Sequence, residues 1–524
     1  MSDILSQNSR CCLIKLHWVT AFSLLYLALP GMLFFSSWFT PWAAWLVNLA
    51  ILLSIICYAR KAAQENHSWS VGIGGMLGLL GTFLLAACSF CYAGIAGFIY
   101  PAPDILIFRE ALYSNLISAP WPLVLPDGTE MSYYLAGMLP PALIYRLIED
   151  YTVQRLISIL WYSLGIWLSV LLFCCRQKHF SVLFVLFLTF FKDPAYIILN
   201  SVAGNGDVWN FISQFIPLPP NTYLGAMPAF YNVMNSGQTC NFSPFTVLAA
   251  ALLITHAKKG GALAPLLVTL LLPISPLASI GLMPLAFVVW LLDGGFTSLH
   301  KLAALLPPVI IFVFSAVYYL RAESATCVGL HGELMGDWNY FLKSCYSTIL
   351  LGAILLTITL WSVLKTDKLL CISLVCTLIT PWIYFGSSPD SGSFGNNELW
   401  LKTIMIYHIH LYAALAFNWK KLNWLKYAYL GSTILLTVYN GCQEKIRWTR
   451  APIVTDVWNG HLYHQHPSLY QKLPHCREPW IPGVLLPGGA AEKHFPGSVL
   501  PKAEGCDYSR SPMPDGDHII KYQL

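Results

Sequence analysis

Charge is what this chain has least of. Only 10% of its 524 residues are Asp, Glu, Lys or Arg, against roughly 25% in a soluble domain. So few charges cannot cover a globular surface, which excludes a soluble multidomain protein. A large basic excess is missing too. The formal net charge is +5, and the cations fall in short clusters between apolar runs, so nucleic-acid binding is not expected. No cleavable leader is expected: the first apolar segment, 12–35, is too long for a signal-peptide core and has no small-residue cleavage site, so it reads as a retained span. No internal repeat, low-complexity tract or nucleotide-phosphate loop is present. The 15 cysteines do not form a disulfide framework, because most lie inside apolar spans, where Cys is a small hydrophobe. Cys88 and Cys91 make a C-x-x-C, but within such a span.

What the chain does have is apolar length. Hydrophobic residues make up 56%, with 19 Trp and 27 Tyr to populate the membrane–water interfaces. With about 20 apolar residues needed per crossing, hydropathy predicts an all-α polytopic membrane protein of about thirteen spans: 12–35, 39–58, 72–98, 153–174, 179–197, 242–256, 262–276, 278–293, 300–320, 346–364, 369–386, 401–418 and 424–441. The bundle is expected over 1–441, with an extracytoplasmic tail over 442–524.

The cations orient it. With the N-terminus cytoplasmic, the inner connections carry Arg10 and Lys15, Arg60 and Lys61, Arg176 and Lys178, Lys258 and Lys259, Lys301, Lys365 and Lys368, then Lys420, Lys421 and Lys426, as the positive-inside rule requires. The long polar intervals then share the opposite face: 99–152, 198–241, 321–345, 387–400 and the tail. Within the first, 132–149 is expected to be a short amphipathic or re-entrant segment, since Pro140-Pro141, Arg146, Glu149 and Asp150 argue against a full span. Cys327 with Cys345, and Cys476 with Cys506, are disulfide candidates if that face is oxidising.

Elaboration gathered on one face, with few charges in mid-span and no repeat symmetry, suits an enzyme better than a transporter. The interval 100–150 carries the most chemistry. It holds APD at 102–104 just after a span, APWPLVLPDG at 119–128 and MSYYLAGMLPPALIYRL at 131–147. This layout resembles the first outer loop of the multi-span GT-C-fold glycosyltransferases, which take sugars from polyprenyl-phosphate carriers, and looks closest to the GT-C-like proteins of bacterial polysaccharide and O-antigen clusters. PNTYLGAMPAF at 220–230 resembles another outer segment of those proteins, although Phe230 or Tyr231 stands where they usually have His. FGNNELWLKTIMIYHIHLYAAL at 394–415 resembles their G…ND…R…P segment, with Glu398 for the Asp, Lys402 for the Arg and no Pro.

The resemblance implies an early acidic residue as catalytic base and a single displacement with inversion. The chemistry asks for the same residue types. A carboxylate takes the acceptor's hydroxyl proton, while cations neutralise the departing lipid phosphate. Asp104 is the first choice as base, with Asp193 and Glu130 as further catalytic acids. Arg109, Arg155, Lys192, Glu398, Lys402 and His408 are the candidate donor and phosphate site. Trp121, Tyr133, Tyr134 and Asn397 are candidates for holding the sugar. No resident cofactor is expected, although a divalent cation could share the work on the phosphate. The partners implied are a polyprenyl-phosphate sugar, a glycan or lipid-linked acceptor and membrane lipid, in a bacterial cytoplasmic membrane.

Each of these residues has a plainer role beside it. Asp104 can cap a helix beginning at Ile105, and Asp127-Gly128 is first a turn. Asp193 stands before Pro194, where a helix ends. Glu398 and Lys402 can be a simple i,i+4 pair. His408 and His410 can be neutral, hydrogen-bonded residues of a span. Arg146 and Arg155 can reach to head groups. Rival functions are an O-antigen polymerase or ligase and a flippase or transporter of lipid-linked oligosaccharide.

Overall fold

The computed structural model describes residues 10–65, 67–92, 116–117, 120–123, 135–148, 151–190, 237–257, 261–294, 302–321, 328–330, 367–386, 406–407, 409–418 and 431. These residues are mostly helical. Among the described residues, three helices are long and apolar enough to cross a membrane: α1 (Leu16–Trp38), α2 (Pro41–Ala63) and the part Leu156–Gln177 of a longer helix.

The chain does not enter α1 directly. Residues 10–15, which hydropathy assigned in part to the first span, form strand β1 (Arg10–Lys15). It pairs antiparallel with β2 (Ser68–Gly72), Lys15 opposite Ser68 and Ile14 opposite Trp69. The pairing puts the start of α1 beside the start of α3 (Ile73–Tyr92), so both helices run away from the same end, and α2 is the returning helix that connects them along the chain. A second short pair joins β3 (Val328–Leu330) to β4 (Tyr384–Gly386).

The remaining helices are α4 (Leu139–Tyr145), α5 (Tyr151–Gln177), α6 (Val182–Phe190), α7 (Gly237–His256), α8 (Leu263–Leu271), α9 (Pro276–Leu292), α10 (Leu306–Arg321) and α11 (Lys368–Ile383). A π-helical turn follows at Ala414–Asn418. The predicted spans 262–276 and 278–293 correspond to α8 and α9, with the break earlier than expected, at 272–275. Pro273 and Pro276 stop α8 and restart the chain, and the Ser275 hydroxyl caps α9 by accepting from the Ala278 amide at 3.3 Å.

α1 is central, packing on α2, α5 and α7. Its crossing with α5 and α7 depends on Gly165. A β-carbon there would lie 2.8 Å from Tyr26 Oη and 2.9 Å from Pro244 Cβ. The space lets Tyr26 stack on Phe245 at 5.1 Å and donate its hydroxyl to the Trp161 carbonyl at 3.0 Å. α3 is tied to α5 by the Trp167 indole, which donates to the Leu79 carbonyl at 3.0 Å.

α2 shows what surrounds the bundle. Val47, Ile51, Ile55 and Tyr58 form its buried stripe. The other face is apolar as well: Trp42 and Trp45 are 67% and 77% exposed, and Leu49, Leu53 and Ile56 follow, ending at the exposed Arg60 and Lys61. At 1.5 Å per residue, Trp42 and Arg60 are about 27 Å apart, close to the roughly 30 Å of a hydrocarbon core. A continuous outward apolar wall bounded by indoles and cations suits lipid and not water.

Candidate functional site

The bundle has polar chemistry at two opposite ends. One lies where α1 finishes and α5 begins. There the Leu116 carbonyl accepts three donors: Arg146 Nε at 3.1 Å, Arg146 Nη2 at 2.9 Å and the Trp121 indole at 2.9 Å. The guanidinium carbon lies 4.3 Å from the centre of the Trp121 ring, a cation–π contact. Trp38, the last residue of α1, is 6.1 Å from the same ring. Just before Arg146, the Tyr145 hydroxyl bonds to Ser158 of α5.

These contacts tie Leu116 and Trp121 to 135–148 and fasten both to the helices. The segment 135–148 buries Leu135, Met138, Leu139 and Ala142, with Gly137 close against Phe245 and Ile274. It leaves Leu143, Ile144 and Leu147 outward. The segment is thus a short 3-10 turn, Ala136–Met138, running into the amphipathic helix α4, seated against the bundle. Burial lowers Arg146 from the ordinary arginine value.

The other end is where α1 begins and α2, α5 and α7 finish. His67 Nε2 donates to the Arg176 carbonyl at 3.0 Å, and the Arg176 guanidinium pairs with Glu65 at 3.2 Å. The Leu16 amide donates to the His67 carbonyl at 2.9 Å. Buried beneath them, Thr20 Oγ1 donates to the Leu16 carbonyl at 2.9 Å and lies 3.0 Å from His256 Nε2. A hydroxyl has one proton, so His256 Nε2 must be the donor to Thr20.

A third pair lies between α11 and the helical residues 409–413. His410 Nε2 is 3.4 Å from Asp367 Oδ2. The other Asp367 oxygen accepts from the Leu369 and Leu370 amides, both at 3.1 Å, and so caps α11. His410 is buried, and among the described residues its Nδ1 has no hydrogen-bond partner.

Of the site residues expected from the sequence, the structure describes Trp121 and the helical backbone of Arg155 in α5. Asp104, Arg109, Glu130, Tyr133, Tyr134, Lys192, Asp193, Asn397, Glu398, Lys402 and His408 lie outside the described residues, as do Cys327, Cys345 and the tail from 442. Trp121 is engaged by its own chain through its N–H and its ring, so sugar stacking would have to use the surface those contacts leave. Cys88 is a free thiol. No group of three or more His, Cys, Asp or Glu side chains among the described residues could hold a metal ion.

Several partners escaped the sequence reading. For Arg146 the sequence suggests a charge that argues against a full span or a residue reaching to head groups, and it does not single out Thr20, His256 or Asp367. Their partners are 30, 236 and 43 positions away, so no local spacing marks them. The only available signal was a polar residue beside or within an apolar run. No protein-family model matches this chain, and neither a curated protein nor a solved structure matches it.

Proposed function

We propose that this protein is a membrane glycosyltransferase. It would move a sugar from a polyprenyl-phosphate carrier to an envelope polysaccharide or lipid-linked glycan on the non-cytoplasmic face. The observation that carries the reading is the Arg146–Leu116–Trp121 clasp. It holds part of the interval 100–150 as a fixed cap over one end of an apolar bundle, and that interval contains the motifs resembling the GT-C outer loop.

In this reading a carrier lipid approaches along the outward apolar wall and its sugar phosphate reaches the cap. Asp104 takes the acceptor's hydroxyl proton as the acceptor oxygen bonds to the anomeric carbon. The anomeric C–O bond breaks on the opposite face and its electron pair leaves with the polyprenyl phosphate. Cations neutralise that phosphate; Arg109, Arg155, Lys192 and Lys402 are the proposed set, with Glu398 and His408 beside them. The described residues add positioning: Arg146 gives two of its guanidinium donors to the Leu116 carbonyl and so builds the cap.

The test is transfer from a panel of polyprenyl-phosphate sugars by the purified chain and by Asp104→Asn. Transfer by the parent and its loss in the variant support the reading, whereas undiminished transfer by the variant removes Asp104 as base. The Asp367–His410 pair favours a second reading, a transporter of lipid-linked oligosaccharide, because ionisable residues within helical bundles commonly mark transport paths. Flux across a sealed vesicle that is lost in His410→Gln, without sugar transfer, would select it.

A further inference from the structure

We propose that the end of the bundle opposite Arg146 is a binding surface for the head groups of anionic phospholipids. The inference goes beyond sugar transfer. It needs the bundle to sit in a bilayer and needs nothing of the reaction.

Four cations define the surface. Lys15 ends β1, Arg60 and Lys61 occupy the last turn of α2, and Lys178 follows α5; all four are exposed. None has an ion pair among the described residues. Arg176, which lies among them, is neutralised by Glu65. The four are not independent surface lysines and arginines, because a bonded junction holds their elements together. Lys15 is paired with Ser68 through the β1–β2 ladder. Leu16 bonds to His67, His67 to Arg176, and Cys175 Sγ contacts the Ile14 carbonyl at 3.7 Å. Lys178 adopts a left-handed φ of 58°, which turns the chain sharply at the end of α5.

What lies beside the cations selects the ligand. Along α1, Trp18, Phe22 and Leu25 are exposed at i, i+4 and i+7, so they form one stripe that begins three residues after Lys15. Along α2, Ile56, Leu53 and Leu49 form a similar stripe leading away from Arg60. α1 and α2 pack along each other. Each stripe therefore runs from a cation to an aliphatic wall, with an indole at the boundary on α1. A phospholipid has the same order: phosphate, interfacial glycerol, acyl chain. A soluble phosphate or an acidic peptide would match the cations and leave both apolar stripes without a partner. Basic clusters next to membrane helices attract anionic lipid. The surface thus prefers a net-negative head group to a zwitterionic one, and screening by salt weakens the preference.

The full chain should be reconstituted in nanodiscs of mixed phosphatidylglycerol and phosphatidylcholine. Lipid selectivity is then measured with spin-labelled analogues of each. The parent is expected to favour the phosphatidylglycerol analogue severalfold at low salt. Replacing Lys15, Arg60, Lys61 and Lys178 together by Gln is expected to bring the preference close to one. A charge-preserving set, with Lys15, Lys61 and Lys178 changed to Arg and Arg60 to Lys, should retain it and shows that the positions tolerate substitution. Equal selectivity in the parent and the Gln set overturns the proposal, as does inorganic phosphate displacing the labelled lipid at low millimolar concentration. Failure of the parent to insert into nanodiscs overturns the membrane reading as well, which separates the two failures.

Discussion

Thr20 and His256 meet at 3.0 Å across 236 positions of sequence, joining the first turns of α1 to the last residue of α7. Thr20 is fully buried and gives its own proton to Leu16, so it can only accept from the imidazole. Replacing it with Val keeps the shape and leaves the buried imidazole N–H without an acceptor. That should cost about 1–3 kcal/mol. Thr20→Ser keeps the oxygen and should cost much less. Thermal unfolding in detergent distinguishes the two variants, and equal losses would contradict the assigned direction of the bond.

Gly165 gives a packing prediction. The nearest atoms to an added methyl belong to Tyr26 and to the rigid ring of Pro244. Neither can move without parting α5 from α1 or α7. Gly165→Ala should destabilise by about 1–3 kcal/mol through overpacking, despite the better helix propensity of Ala. Gly81 lies in α3 with open space around its would-be β-carbon, so Gly81→Ala should be neutral or stabilising. A parent-like unfolding temperature for Gly165→Ala would show that the crossing is looser than these distances imply.

How far the sequence anticipated these features depended on the range of the interaction. α1, α2 and α5 were legible because a continuous apolar run of membrane length is a local signal. Two elements were expected at 262–276 and 278–293, but hydropathy runs through Pro273 and Pro276 and so put the break a few residues later than the prolines do. β1 was missed because CCLI at 11–14 is as apolar as the helix it precedes; only its pairing with β2 identifies it as a strand. The cap was partly legible. The amphipathic character of 132–149 was expected, and α4 buries Leu139 and Ala142 while exposing Leu143 and Ile144. That Arg146 would fold back on the Leu116 carbonyl depends on a contact 30 residues away, which no periodicity encodes. The same holds for Asp367, which reads as an ordinary helix cap until His410 arrives.

The clasp can be taken apart one group at a time. Arg146→Lys keeps the charge but has no planar fork to give two bonds to one carbonyl. Hydrogen exchange across 116–123 should quicken severalfold as local opening becomes easier. Trp121→Phe keeps a ring beneath the guanidinium and removes only the indole donor, so its effect should be smaller than that of Trp121→Ala. If the cap positions a substrate, sugar transfer should fall in the same order. Unchanged exchange in Arg146→Lys would mean that 116–123 is held by other contacts.

Asp367 supplies a prediction about acid. Burial pushes its carboxyl upward, but the hydrogen bond and charge of His410, with the Leu370 and Leu369 amides, outweigh this and leave it below the ordinary 3.8. The unfolded chain therefore binds that proton more readily than the folded one. The stabilisation is complete above pH 3.8 and is lost as pH falls from there through the lower folded value. His410→Gln removes the leading downward influences, so the folded carboxyl should move back toward 3.8 and the acid-dependent part should shrink. Asp367→Asn should remove it altogether, while the side-chain oxygen of Asn can still cap α11. Unfolding free energies of the three proteins, compared at pH 6 and at several values below 4, test this directly. The parent's advantage over Asp367→Asn should narrow steadily on acidification. An advantage that stays constant down to pH 2 would show that the carboxylate's interaction with His410 contributes nothing to the fold.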